Sequence, residues 1–156
     1  ALCFYLLYQG EIVNSNNEKI EYRSDMEEFL GTGMQLFNSM SEERLHALEK
    51  LFDQTMKRAY ECMGEDGFRI PSKGKSRRPI SMTLFETLFY YYTLFEKNFD
   101  INMMRQGIKE LLRDAEYLES LQYTVDSSFR VAKRFQKVID KYKEIIDVRK
   151  NKSAGV

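Results

Sequence analysis

Apolar residues recur at intervals of three and four along most of the chain, the spacing that places them on one face of an α-helix. Residues 1–8 (ALCFYLLY) are apolar nearly throughout and predict a helix ending near Gln9-Gly10. Residues 11–23 (EIVNSNNEKIEYR) break the pattern with asparagines and charges in no helical phase, so a mobile loop is expected there. Ser24 and Glu27 have the spacing of a capping box and predict the start of a second helix, with Met26, Phe29, Leu30, Met34 and Phe37 inward. Gly31 and Gly33 weaken its middle by about 1 kcal/mol each relative to alanine, which points to a kink or a close packing contact.

Ser41, with Glu42 and Glu43 in the first turn, opens a third helix whose stripe is Leu45, Leu48, Phe52, Met56, Ala59 and Met63. Gly64 ends it as a left-handed cap, and a loop over 64–80 follows. The fourth helix, Ser81 to Lys97, is apolar nearly all round through Leu84, Phe85, Leu88, Phe89 and the run Tyr90-Tyr91-Tyr92, which predicts a central position. Asp100 caps a fifth helix, and Tyr117 to Gln122 form a short turn. The last helix runs from about Ser128 to Val148 with Val131, Phe135, Val138, Ile139, Tyr142 and Ile146 inward. The fold class is therefore all-α, about six helices in one irregular bundle. Residues 1–148 form a single domain and residues 149–156 a disordered tail.

Composition agrees with this reading. At 156 residues and 43% hydrophobic, the chain can bury one ordinary core, and only two prolines and eight glycines interrupt it. Cys3 and Cys62 are far apart and form no C-x-x-C pair, which fits a reducing, cytoplasmic setting. The apolar run at residues 1–8 is far shorter than a bilayer crossing, so no membrane partner is expected. A chain that opens directly inside an apolar helix, without Met, is expected to lack an N-terminal part of its domain.

Net charge is zero, but it is unevenly spread. Residues 67–85 hold five bases and no acid, and residues 127–156 hold nine bases against three acids. Two basic surfaces in an otherwise acidic protein follow from this. In the first, Arg69, Lys73, Lys75, Arg77 and Arg78 form a cationic lip ahead of a helix N-terminus, a natural ligand for phosphate, with Phe68 and Ile70 as apolar anchors. A solvated loop paired with the acidic segments is the plainer alternative. In the second, Arg130, Lys133, Arg134, Lys137 and Lys141 are expected on the polar side of the last helix, facing solvent, nucleic acid or an acidic partner.

Catalytic patterns fail on inspection. Gly74-Lys75-Ser76 ends like a phosphate-binding P-loop, but Arg69 stands where its first glycine belongs. Glu43 and His46 have the spacing of a di-iron ligand pair, yet His46 is the only histidine and lies off the apolar stripe, as a surface residue would. A single histidine also argues against a Ser-His-Asp or Cys-His site. Tyr90 to Tyr92 face three directions, which favours core packing over base stacking.

The stretch GEDGFRIPSKGKSRRPISMTLFETL, from Gly64 to Leu88, resembles a large bacterial family whose N-terminal region is a ParB-like nucleotidase or nuclease domain, as in GmrSD-type restriction and phage-defence proteins. The resemblance is carried by Gly64, Glu65, Asp66, Phe68 and Arg69, then Arg77, Arg78, Pro79 and Ile80, then Leu84, Phe85 and Glu86. Phe4-Tyr5 and Asp25 to Leu30 agree with it, while Gly31 to Gly33 depart from it. It implies a non-catalytic, C-terminal helical module, without cofactor, of a longer protein acting on DNA. The family's D-G-Q-Q-R-type motif has no match here, so no catalytic residue carries over. The implied partners are the missing N-terminal domain of the same polypeptide and DNA, and a homo-oligomer stays open. Gly64, Phe68, Ile70, Pro79, Ile80 and Phe85 are the expected structural anchors of the loop. The alternative is a purely structural or protein-interaction module, docking through apolar surface near Leu2, Phe4 and Leu6.

Overall fold

A computed structural model describes residues 1–13, 18–71, 77–122 and 125–154, with the backbone alone for 152–154. It is all-α: α1 (Leu2–Gln9), α2 (Met26–Ser39), α3 (Glu42–Met63), a short 3-10 turn (Gly64–Asp66), α4 (Met82–Thr93), α5 (Ile101–Leu111), α6 (Ala115–Ser120) and α7 (Ser128–Ala154). Among the described residues the only β feature is an isolated antiparallel bridge between Val13 and Lys19. None of the described helices is long and apolar enough to cross a membrane.

The caps explain most of the boundaries. Side chains of Ser41, Ser81 and Asp100 accept hydrogen bonds from the first-turn N–H groups of Arg44, Leu84 and Asn102, as the sequence leads one to expect. At α2 the cap is Asp25, whose carboxylate accepts from Glu28 N at 2.9 Å, and not Ser24. Ser24 sits at φ +66°, and its hydroxyl instead accepts from Ser128 N at the start of α7. The expected turn near Tyr117 is a helix, α6, because Asp114 caps it through Tyr117 N at 2.9 Å. Helix α7 continues to Ala154, past the Val148 expected, in a run without proline or glycine before Gly155.

Helix α4 occupies the centre. Leu84, Thr87, Leu88, Phe89, Tyr91 and Tyr92 are fully buried, and α1, α3 and α7 pack around them, with α5 bridging α3 and α7 and α6 lying on α7. The three tyrosines are core residues. Tyr91 donates to Met104 O at 3.1 Å, and the Tyr117 hydroxyl pairs with Thr87 Oγ1 at 2.7 Å, so burying these polar groups costs little. An aromatic cluster joins the ends of the chain: Phe4, Tyr8 and Tyr90 all meet Phe135, with Tyr8 stacked on it at 4.4 Å.

Helix α4 ends at Thr93 and not at Lys97. The reason is Arg58 of α3, whose guanidinium donates to the carbonyls of Tyr92, Phe95, Glu96 and Lys97. Arg105 of α5 does the same for the end of α3, donating to Cys62 O at 2.6 Å and Glu61 O at 3.2 Å. Cations at a helix C-terminus satisfy orphan carbonyls and oppose the dipole.

Other expectations change. Phe4 and Leu6 are core residues, so they are not available as a docking surface. Ile12 and Tyr22, in the described parts of the 10–23 segment, are core residues, while Leu30, Met34 and Leu45, expected inward, are exposed. The face α2 buries is Phe29 and Gly33. A Cβ on Gly33 would lie 2.6 Å from Cys3 Sγ, so this glycine is the close packing contact between α2 and α1.

Candidate functional site

The 64–80 loop is built from its neck upward. Gly64 caps α3 at φ +60°, a conformation without cost only for glycine, and the chain then turns through Gly64–Asp66. Phe68 packs edge-on to Phe85 at 4.8 Å, and Ser81 N donates to Phe68 O at 2.9 Å, which closes the neck against α4. Arg69 ties both arms together: its Nε donates to Glu65 O at 3.2 Å and its Nη1 to Arg78 O. Arg77 reaches back to Glu65 at 2.8 Å and Asp66 at 3.0 Å.

Phe68 and Phe85 therefore anchor the loop as expected, and Ile70 packs partly buried against the core. Pro79 and Ile80 do not: both are exposed, Ile80 by 55%. The extended backbone that Ser81 needs to cap α4 leaves Ile80 pointing outward beside Met82, which is 63% exposed. Of the cations, Arg69 and Arg77 serve the loop itself. Arg78 is exposed and pairs with no carboxylate among the described residues. Lys73 and Lys75 lie outside the described residues.

The basic face of α7 proves to be an internal zipper. Arg130 pairs with Glu119 at 2.9 Å, Lys133 with Glu116 at 3.5 Å, and Lys137 with Asp114 at 2.8 Å and Glu116 at 2.7 Å. Lys141 adds Glu110 at 2.9 Å and Glu144 at 2.6 Å. The acids of α5 and α6 thus neutralise the surface that the sequence offers to a partner. Arg134 departs further from expectation, since its side chain is wholly buried. It falls at the three-four spacing Val131, Arg134, Val138 and so lies on the core face; its long apolar stem suits that place. Its guanidinium faces Glu86 at 3.4 Å and donates to Val125 O, and its Nε finds no acceptor.

These contacts set the titration behaviour. Hydrogen bonds from Gln106 and Lys141 hold Glu110 below the usual carboxylate range, and Lys137 and Lys133 do so for Glu116. Arg130 lowers Glu119; partial burial opposes the effect at Asp114, but Lys137 and the Tyr117 N–H outweigh it. Carboxylates lowered in the fold stabilise it above their unfolded pKa and lose that contribution as pH falls. Burial raises Glu86, against the pull of Arg134, so that one group runs the other way. With four groups against one, the melting temperature is expected to fall as pH drops below about 5, and less steeply in Lys137→Met; a thermal melt series across pH checks both.

His46 is a surface residue, paired only with Glu49 at 2.9 Å, and no three metal-ligating side chains come together among the described residues. Sequence reasoning missed Arg58 and Arg105, and no signal could have found them, because any residue's carbonyl can be their acceptor. The heptad phase of Arg134 was a usable signal. Comparison of the chain with protein-family models, curated proteins and solved structures gives no match to any of them.

Proposed function

We propose that the chain is a non-catalytic helical module of a DNA restriction or phage-defence protein of the kind its Gly64–Leu88 stretch resembles. In this reading it packs on a ParB-like domain of the same polypeptide and lends the 64–80 loop to DNA or nucleotide phosphate. The supporting observation is the division of the cations. Arg130, Lys133, Lys137 and Lys141 of α7 are taken up by the fold's own carboxylates, whereas the pinned loop carries Arg78 outward beside the N-terminus of α4.

The test is binding of the chain to duplex DNA over a range of salt, by fluorescence anisotropy. Charge reversal at Lys73, Lys75 and Arg78 is expected to weaken binding and reduce the salt slope by roughly one per lost phosphate contact. Arg130→Glu, in the zipper, is expected to leave the slope unchanged and lower the melting temperature. If the loop variant keeps the affinity and slope of the parent, the phosphate role is wrong. That outcome favours the second reading, a protein-interaction module without nucleic acid, to which the exposed Ile80 and Met82 lend support.

A further inference from the structure

We propose that the chain associates head to tail with a second copy of itself, the Arg78–Met82 ridge of one copy lying along the outer face of α2 in the next. The proposal goes beyond the phosphate role and does not depend on it. Two exposed apolar surfaces of opposite charge carry it.

The first is α2. Glu27, Leu30, Gly31, Met34 and Gln35 follow at helical spacing and are all exposed, Leu30 by 43% and Met34 by 58%. Nothing lies within 4 Å of the place a Gly31 side chain would take, so a mid-helix glycine serves no contact inside the chain. It leaves a flat strip between two apolar side chains. The helix has no lysine or arginine, and Asp25, Glu27 and Glu28 crowd its N-terminal end.

The second is the ridge. Ile80 and Met82 project from backbone that is extended at Ser81, with Arg78 two residues upstream and no acid anywhere in residues 67–85. Residues two apart in extended chain are about 6.6 Å apart, and Leu30 and Met34, four apart in a helix, about 6 Å. The two apolar pairs therefore match in length, and in that register Arg78 approaches Glu27. Charge favours the pairing: Arg77 is already held by Glu65 and Asp66, which leaves Arg78 to meet Glu27, whereas two α2 helices side by side in parallel set acid against acid. The heterologous contact brings opposite charges together, and such a contact closes into a ring or extends. The groove beside Phe129, with room for about 520 Å³, is lined by Leu7, Tyr8 and Ile20 with Glu21 as its one charged residue, and has no second charge to fix an occupant's register.

Sedimentation velocity of the whole chain tests this. The weight-average mass is expected to rise with protein concentration and to fall back in about 0.5 M salt. Met34→Asp and Ile80→Asp alter exposed residues, so each keeps its helical circular dichroism, and each alone is expected to associate at least about tenfold more weakly. Mixed in equal amounts they should form a heterodimer, because each retains the face the other lacks. A wild-type chain that stays monomeric throughout overturns the proposal, as does a mixture that stays monomeric or a Met34→Asp variant that associates like the parent. Met34→Asp leaves the 64–80 loop untouched, so DNA binding by that variant is read independently.

Discussion

Replacing Arg134 with alanine is expected to cost the fold about 3–5 kcal/mol, the usual penalty for stranding one member of a buried ion pair. The guanidinium is fully enclosed, and three elements depend on it: Glu86 on α4, the Val125 carbonyl ahead of α7, and α7 itself. Removal leaves Glu86, whose side chain is only 14% exposed, facing a void instead of a cation. Neutralising both partners is a different experiment. Arg134→Met with Glu86→Leu fills the site with apolar volume and is expected to recover most of the loss, since the pair itself is costly to desolvate. Urea unfolding of the two single variants and the double variant measures the coupling; additive losses would mean the pair does not act as a unit.

Gly107→Ala is expected to destabilise by about 2 kcal/mol, although alanine is the better helix former. A Cβ there would collide with Ile145 Cδ1 and with the Tyr91 hydroxyl. The isoleucine tip can rotate away, but the phenol cannot move without giving up its hydrogen bond to Met104 O. Gly31→Ala is the matched control. It meets open space and should stabilise α2 by about 0.5–1 kcal/mol. Thermal melts of the two variants are expected to shift in opposite directions, and a stabilised Gly107→Ala would show that α5 has room to back away from α4.

The contrast between these glycines shows what the sequence could and could not reveal. Both break a helical pattern, and propensity alone treats them alike, because the difference lies in what a distant helix places above each. Local chemistry was legible at Ser41, Ser81 and Asp100, where cap and N–H partner lie within one turn, although the equally local caps Asp25 and Asp114 were not singled out. It misled at Ser24, whose hydroxyl is engaged far along the chain. The central place of α4 was legible because its apolar residues cover the whole circumference. On α7 the apolar period was right and even puts Arg134 in phase with the core, but it does not say that Glu116 and Glu119 of α6 and its cap Asp114 cover Arg130, Lys133 and Lys137. Ile80 was misplaced for a related reason: pinning of the loop fell to Phe68 and Arg69, and Ile80 was left free to face outward.

The clasp at the start of α7 bears on how the chain reaches this state. Ser127 satisfies one first-turn N–H locally, through Arg130 N, but the N–H of Ser128 depends on Ser24, and the carbonyl of Asp126 on the Tyr22 hydroxyl. Each of those two bonds spans 104 residues of sequence. Closing a loop of that length carries a large entropic cost before any contact rewards it. The nucleus for folding is therefore expected among more local pairs such as α3 with α4 and α6 with α7, with the N-terminal segment docking late and setting the first turn of the final helix only after the rest has assembled.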